Sequence, residues 1–448
     1  MRMSNAIAKW LRSFRLRGAL RQGNTGLAQQ LLEEIKISGA KLSWLEKLFQ
    51  NWLAENRAAR DYREEIAALK RQVEQLLQQK EQLEREKVFD AFEPEATPEI
   101  LVPNREFIDF VTDSFQLRDL DEGKIQATGI CKDIFGPFEA DLADFVEESL
   151  NKFPCERRDS SVKEAREDLR KLRDGIDPQY SFELSSEVYL IKHFLEHVYC
   201  TYIAWFLIYK AGLLPVKLNI LDIGSGPLTT AYGLALLLQS SSGFFSLPQM
   251  HHISYYSLER QDRLQEQGLQ FWCRYIEPRS DATNAYFRLD TANILAYDPQ
   301  AKSLPEGFFD FIVISHCIFS DRKQRAKSHE VYRQIFANNL AKNGYALVIV
   351  QLNKLFKGYG IPPSEDLERE KSLIKKLLDE LGLTLEWYKY FASTGRRVFM
   401  KNDEFRDFAE DNLPKPKEMG RLHRKYINKN YERHYAADDY VILAKRKL

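Results

Sequence analysis

The stretch Lys217-Leu218-Asn219-Ile220-Leu221-Asp222-Ile223-Gly224-Ser225-Gly226-Pro227-Leu228-Thr229-Thr230 decides how the rest of the chain is read. An apolar run ends in a carboxylate and a Gly-x-Gly turn, and a helix of small and apolar residues begins at Thr229. This is a strand–loop–helix whose glycines let the backbone approach a ligand closely. The carboxylate separates two ligand classes. A dinucleotide sets its pyrophosphate on the helix N-terminus and uses G-x-G-x-x-G, with no acid ahead of the glycines. Here Asp222 precedes them, and Thr229 stands at the third glycine position of that pattern. A carboxylate repels a pyrophosphate but suits a ligand carrying ammonium and sulfonium charges.

Downstream, strands and helices alternate as a doubly wound sheet requires. Residues 252–258 read as a strand ending in Glu259, and 285–289 as a strand followed by Asp290, Thr291 and Ala292. The runs 309–317 and 344–350 are almost continuously apolar, as strands buried on both faces should be. The glycine turn resembles motif I of the class I S-adenosylmethionine (SAM) methyltransferases, D/E-x-G-x-G-x-G, with Leu228 at its last glycine. That resemblance covers about 186–448. It implies an α/β fold: a Rossmann-like, seven-stranded methyltransferase sheet in which 385–391 and 439–445 form an antiparallel hairpin at the edge. It also implies SAM as cofactor. Asp222, with Gly224, Ser225 and Gly226, would hold the methionine end. Glu259 would accept both ribose hydroxyls, since a carboxylate offers two acceptor oxygens to a vicinal diol. Asp290 and Thr291 would lie at the adenine, unless they serve only as a helix cap. Ser315 and His316 follow the fourth strand, where Ser315 would join the cofactor set. His316 would be a general base for a hydroxyl or amine, or else a wall of the pocket.

Two weaker likenesses accompany this one. The segment from strand four to Gly360 resembles mitochondrial small-ribosomal-subunit methyltransferase-like proteins, whose cysteine cluster this chain lacks. VYLIKHFLEHVYCTYIAWFLIYKAGLLP, HISYYSLE and HYAADDYVILAKRKL are similar to uncharacterised cyanobacterial proteins, some labelled photosystem II assembly. The acceptor of a methyl group has no signature here: the strand-four end reads Ser-His-Cys-Ile, not D/N-P-P-Y. A non-catalytic assembly factor or scaffold on a methyltransferase fold, associated with RNA, the ribosome or a photosystem, is the competing expectation.

Upstream the chain divides into a basic amphipathic N-terminus and helix (1–56), a coiled coil (57–88), a proline-containing linker (89–104) and a helical region (105–185). Arg2, Lys9, Arg12, Arg15, Arg17 and Arg21 occur before residue 25 with no acid among them, interleaved with Trp10, Leu11, Phe14 and Leu20. Such a segment can lie on an anionic membrane surface or touch RNA. Ala59, Ile66, Val73 and Lys80 alternate in heptads with Tyr62, Leu69, Leu76 and Leu83. Branched residues at a and leucine at d favour a parallel two-stranded coil, with an internal hairpin as the alternative.

Lys+Arg and Asp+Glu are equal at 65 each in 448 residues, so net charge makes no case for a polyanionic partner. The five cysteines are scattered, without C-x-x-C. That points to a reducing, cytoplasmic setting and to no metal site. No run is long and apolar enough for a transmembrane helix, and the N-terminus does not read as a secretory signal. His193-Phe194-Leu195-Glu196-His197 matches the H-x-x-E-H zinc pattern, yet it lies in a narrow polar stripe that reads more simply as exposed. Lys415, Lys417, Arg421, Arg424, Lys425, Lys429 and Arg433, with Tyr426 and Tyr431, form a basic aromatic insert that is either a solvated face or an RNA contact.

Overall fold

A computed structural model describes residues 14–16, 18–20, 25–37, 47 and 100–447, except 175, 245–251, 280–282, 299–303, 399 and 431. The coiled-coil segment 57–88, residues 89–99 of the linker and most of the basic N-terminus lie outside the described residues. The chain forms two units, Met1–Thr97 and Pro98–Leu448. In the first, helix α1 (Thr25–Ile37) contributes Ala28 and Leu32 to a small apolar cluster with Leu16 and Ala19.

The second unit opens with α2 (Arg105–Ser114), whose first turn is capped by the Asn104 side chain accepting from the Phe107 amide. A hairpin follows, β1 (Arg118–Asp121) and β2 (Lys124–Gln126), then α3 (Lys132–Asn151), α4 (Cys155–Arg170) and α5 (Ser185–Tyr189). A π turn at Leu190–Phe194 joins α5 to α6 (Leu195–Lys210), which is buried on nearly every side. The alternating half runs β3 (Lys217–Ile223), α7 (Thr229–Ser241), β4 (His252–Glu259), α8 (Asp262–Tyr275), β5 (Asn284–Thr291) and β6 (Phe309–Ser315). It continues through α9 (Arg322–Asn339), β7 (Leu340–Gln351), α10 (Leu352–Gly358), α11 (Leu367–Leu381) and β8 (Leu383–Ala392). Helices α12 (Asn402–Asn412) and α13 (Glu418–Leu422) precede the last strand, β9 (Asp438–Arg446).

The sheet order is β1-β2-β8-β9-β7-β6-β3-β4-β5. Strands β5, β4, β3, β6 and β7 are parallel, and β9 runs antiparallel between β7 and β8. This is the Rossmann-like α/β sheet with its reversed edge pair, but it has nine strands where seven were expected. The two extra strands come from the region 105–185, which is therefore not wholly helical. β2 adds to β8 in parallel and β1 turns back on β2. No apolar alternation announces these strands: β1 is exposed along its whole length, and β2 has three residues.

Side chains alternate across the sheet, so each strand feeds two cores. Leu218 and Ile220 of β3 face a core shared with α2, α3, α6 and α7, whereas Leu221 and Ile223 face one shared with α9 and α11. Region 105–185 thus packs into the same core as the sheet. Gly233 shows how tightly: a Cβ there would sit 2.3 Å from Thr201 Oγ1 and 2.7 Å from the Tyr202 amide nitrogen. Helices α6 and α7 touch backbone to backbone.

Candidate cofactor cleft

The carboxyl ends of β3, β4 and β6 converge where the strand order reverses, the usual place for a ligand in an open α/β sheet. A cavity of about 400 Å³ lies there, lined among others by Gly224, Gly226, Glu259, Asn293, Ser315 and His316. The turn between β3 and α7 is left-handed at alternate residues, with φ of +72° at Gly224, +55° at Gly226 and +61° at Leu228. Gly224 has a second reason to lack a side chain. A Cβ would lie 2.5 Å from the Cys317 sulfur, so the turn is pressed against the chain leaving β6. Leu228 carries the same backbone handedness that a third glycine would supply. A non-glycine residue there costs about 1–2 kcal/mol, which full burial of a leucine, about 1.5–3 kcal/mol, offsets. Leu228 is completely buried.

Glu259 is the best-defined acid of the cleft. Its Oε2 accepts from the Gly226 amide and its Oε1 from the Gln261 amide, both at 2.9 Å. These bonds tie the end of β4 to the glycine turn. They also favour the ionised form against burial, which on balance raises the pKa of the group. Each oxygen keeps a lone pair for a further donor.

Asp222 behaves differently. It shares the parity of Leu218 and Ile220, so its side chain points into the core beneath the turn, not into the cleft lining. Oδ2 accepts from the Tyr255 hydroxyl, while the buried Oδ1 has no hydrogen-bond partner. Burial pushes its pKa up to about 7. Ser225 is buried too, and its hydroxyl meets that of Ser257 at 2.6 Å. Asp290 and Thr291 end β5 outside the cavity lining, and the residues that reach it are Ala292 to Leu295. The Ala292 amide donates to the Glu259 carbonyl at 2.8 Å, which holds this segment beside the acid.

His316 leaves β6 in a left-handed conformation, φ +58°, pinned by its amide donating to the Ile349 carbonyl at 2.8 Å. Its ring stacks on that of His197, with centroids 3.9 Å apart, and neither ring nitrogen has a hydrogen-bond partner. Burial and the neighbouring His197 and Lys354 depress its pKa well below the usual imidazole value. The unpaired Ser315 hydroxyl stands beside it.

Several lining residues lie outside the glycine motif and its strand ends. Asp177, Pro178, Gln179 and Tyr180 form a strap that lines the cavity. The Asp168 carboxylate takes the Gln179 and Tyr180 amides, and Arg260 donates to the Gln179 carbonyl. At the far side Lys354 Nζ meets Asp177 Oδ1 at 2.6 Å and the His316 carbonyl at 3.3 Å. In the sequence the strap falls within the stretch read as a helical region, 105–185.

The H-x-x-E-H stripe is turned inward, not exposed: His197 is buried, receives or donates a hydrogen bond with Tyr189 at 3.0 Å, and lines the cleft. The π turn sets His193 and His197 5.8 Å apart, stacked, and no metal-binding group of His, Cys, Asp or Glu occurs among the described residues. In the basic insert most cations are already paired within the fold. Arg421 and Lys425 share Glu147, Lys415 bridges Glu410 and Glu432, and Arg433 is buried against Glu196.

No family model matches the sequence, and no curated protein is significantly similar to it. Solved structures with similar folds include a SAM-dependent methyltransferase from Methanosarcina mazei, at 14% identity over 52% of this chain and 95% of that one, TM-score 0.29. A protein from Pyrococcus horikoshii matches at 10% identity over 57% and 93%, TM-score 0.30. Loganic acid methyltransferase with SAH matches at 10% identity over 60% and 96%, TM-score 0.32. The glycine turn, the strand order and the antiparallel β9 between β7 and β8 make this a Rossmann-like α/β fold with a reversed edge pair.

Proposed function

We propose that the protein is a SAM-dependent methyltransferase whose cofactor occupies this cleft. The observation that carries the reading is Glu259, fixed by two backbone amides at the mouth of a left-handed glycine turn. A pinned carboxylate with spare lone pairs suits a ribose diol, and the bare backbone at Gly224 and Gly226 admits a bulky ligand at close range. Ser315 and His316, whose buried polar atoms lack partners, supply unpaired donors and acceptors on the β6 side. Asn293 and its neighbours offer backbone groups at the position expected for adenine. When bound, SAM supplies an electrophilic methyl group; the residues here would orient the ligand, exclude water and accept a proton. In-line methyl transfer depends chiefly on positioning, so a rigid cleft of this kind is sufficient equipment. In this reading His316, on the left-handed turn that follows β6, acts as the base. Asp222 is assigned to the support of the turn and to the electrostatic field beneath it.

Titration calorimetry with S-adenosylhomocysteine (SAH) tests the reading. Micromolar binding that falls at least tenfold in Glu259→Ala is expected. A folded protein that does not bind SAH would instead favour the scaffold, in which the cleft is vestigial.

A further inference from the structure

The cleft has a second end that the cofactor reading leaves unused. In the sheet order β7-β6-β3-β4-β5, the groups assigned to SAM lie at the ends of β3, β4, β5 and β6. Lys354 enters from the other side, in the first turn of α10 after β7, and lines the same cavity. A run of rings joins the glycine turn to this lysine. The Tyr189 hydroxyl lies 3.8 Å from where a Cβ at Gly226 would stand. Tyr180 and His197 flank the Tyr189 ring, with centroids 6.1 and 5.9 Å away, and His316 stacks on His197. The run ends at the His316 carbonyl, which accepts from Lys354. Such a wall suits a flat, largely apolar body.

The ion pair of Lys354 with Asp177 is uneven. The lysine side chain is 5% exposed and comes from a helix whose Leu352, Leu355 and Phe356 are packed in the core. The Asp177 side chain is 23% exposed and sits on the strap. Tyr180 of the same strap has φ +56°, a strained backbone conformation for a residue with a side chain. Asp177 can therefore turn out to water, and Lys354 cannot. If Asp177 left alone, a buried ammonium would stand unpaired, which is strongly unfavourable. An incoming anion removes that penalty by taking its place. A cavity of about 400 Å³ is at the small end for ligand sites, so an acceptor beside the cofactor also needs the room that Asp177 vacates.

We propose that Lys354 recognises an acceptor carrying a carboxylate on a flat, largely apolar body, and that Asp177 is its internal stand-in until the acceptor arrives. Only the ligand's role as methyl acceptor rests on the methyl-transfer reading above. A carboxylate fits better than a phosphate. It replaces one carboxylate on one ammonium, whereas a dianion brings charge that a single lysine does not balance. The other cation of the described lining, Arg260, stands after β4 and is already bonded to the Gln179 carbonyl.

The test uses the full-length protein and two probes of one shape, benzoate and its uncharged isostere benzamide. Each is titrated by calorimetry with and without saturating SAH. Benzoate is expected to bind at least about tenfold more tightly than benzamide. In Lys354→Met that preference should fall to within about twofold. Asp177→Asn should instead tighten benzoate severalfold and leave benzamide unchanged, because the internal competitor is gone. A purely structural ion pair gives no such gain. Benzoate that fails to bind, or binds no better than benzamide, overturns the assignment of Lys354 and leaves SAH binding as the separate test of the cofactor. A preference that survives Lys354→Met, or benzoate binding that Asp177→Asn does not improve, overturns it equally. The wild-type comparison and Asp177→Asn decide the matter if Lys354→Met does not fold. If benzoate behaves as expected while SAH does not bind, the anion site stands and the methyl-transfer reading falls.

Discussion

Asp222 shows how one residue can be conspicuous in a sequence and still act from below the surface. Its carboxylate is buried with a single hydroxyl donor, and its pKa is raised to about 7. A raised carboxyl pKa means that the folded state holds the proton more tightly than the unfolded chain. The stability this contributes is complete below the ordinary carboxylate range and is lost as the pH climbs through about 7. Asparagine keeps an acceptor for Tyr255 and has no charge to bury. Asp222→Asn should therefore gain on the wild-type protein by about 1–3 kcal/mol between pH 5 and pH 8. Urea unfolding of both proteins at the two pH values measures it, and a difference independent of pH would count against the buried charge. The sequence made the acid and the glycines legible because spacing alone marks a strand–turn–helix. It could not reveal which side of the sheet Asp222 faces relative to the cleft, since that depends on the parity of β3 against the helices that cover it. On the adenine side, likewise, spacing points to Asp290 and Thr291, while the residues that line the cavity are Ala292 to Leu295.

At the level of elements, the β1–β2 hairpin carries the most instructive chemistry. It is fastened to β8 and the following loop by Arg397, which is 3% exposed. The guanidinium binds both oxygens of Asp121 at 2.7 and 2.8 Å and reaches Glu370 at 2.7 Å. Glu370 also accepts from Tyr388 and Tyr440, so the two carboxylates and the guanidinium form a satisfied network. Removing the cation from such a network leaves buried acids unpaired and costs about 3–5 kcal/mol. Arg397→Met should destabilise by that amount in thermal or urea unfolding, and Arg397→Lys should recover little, because an ammonium cannot reproduce the planar fork. A full rescue by lysine would show that only charge matters here. None of this was readable beforehand. Arg397 lies 276 residues from Asp121, and β1 has no apolar face to register. The long buried strands β3, β6 and β7, by contrast, announce themselves through unbroken apolar runs.

For the whole molecule, the sequence placed a boundary near residue 185, whereas the fold joins 98–448 into one unit with a shared core. Amphipathic spacing shows that a helix has an apolar face but not which domain it covers. The heptads at 57–88 belong to the other unit, and we propose that they pair two chains. Ile66 and Val73 at a with Leu69, Leu76 and Leu83 at d bury about 1.5–3 kcal/mol per side chain when matched. Light scattering should give a dimer for the full chain and a monomer for a chain beginning at Pro98. A full-length monomer at micromolar concentration would instead indicate an internal hairpin.

The strap that lines the cleft bears separately on two properties of a bound ligand. Fasteners at Asp177–Lys354 and Gln179–Arg260 hold both of its ends. We propose that a ligand in the cleft exchanges only as fast as these fasteners release, whereas its affinity depends on the other lining residues. Loosening a fastener should thus quicken arrival and departure together. In Asp177→Asn, stopped-flow association and dissociation of SAH should both accelerate severalfold while their quotient moves by less. An acceleration confined to dissociation would place Asp177 among the contacts instead of at the gate. Residence time, and with it relief from a lingering product, is then set by residues that sequence motifs for the cofactor do not include.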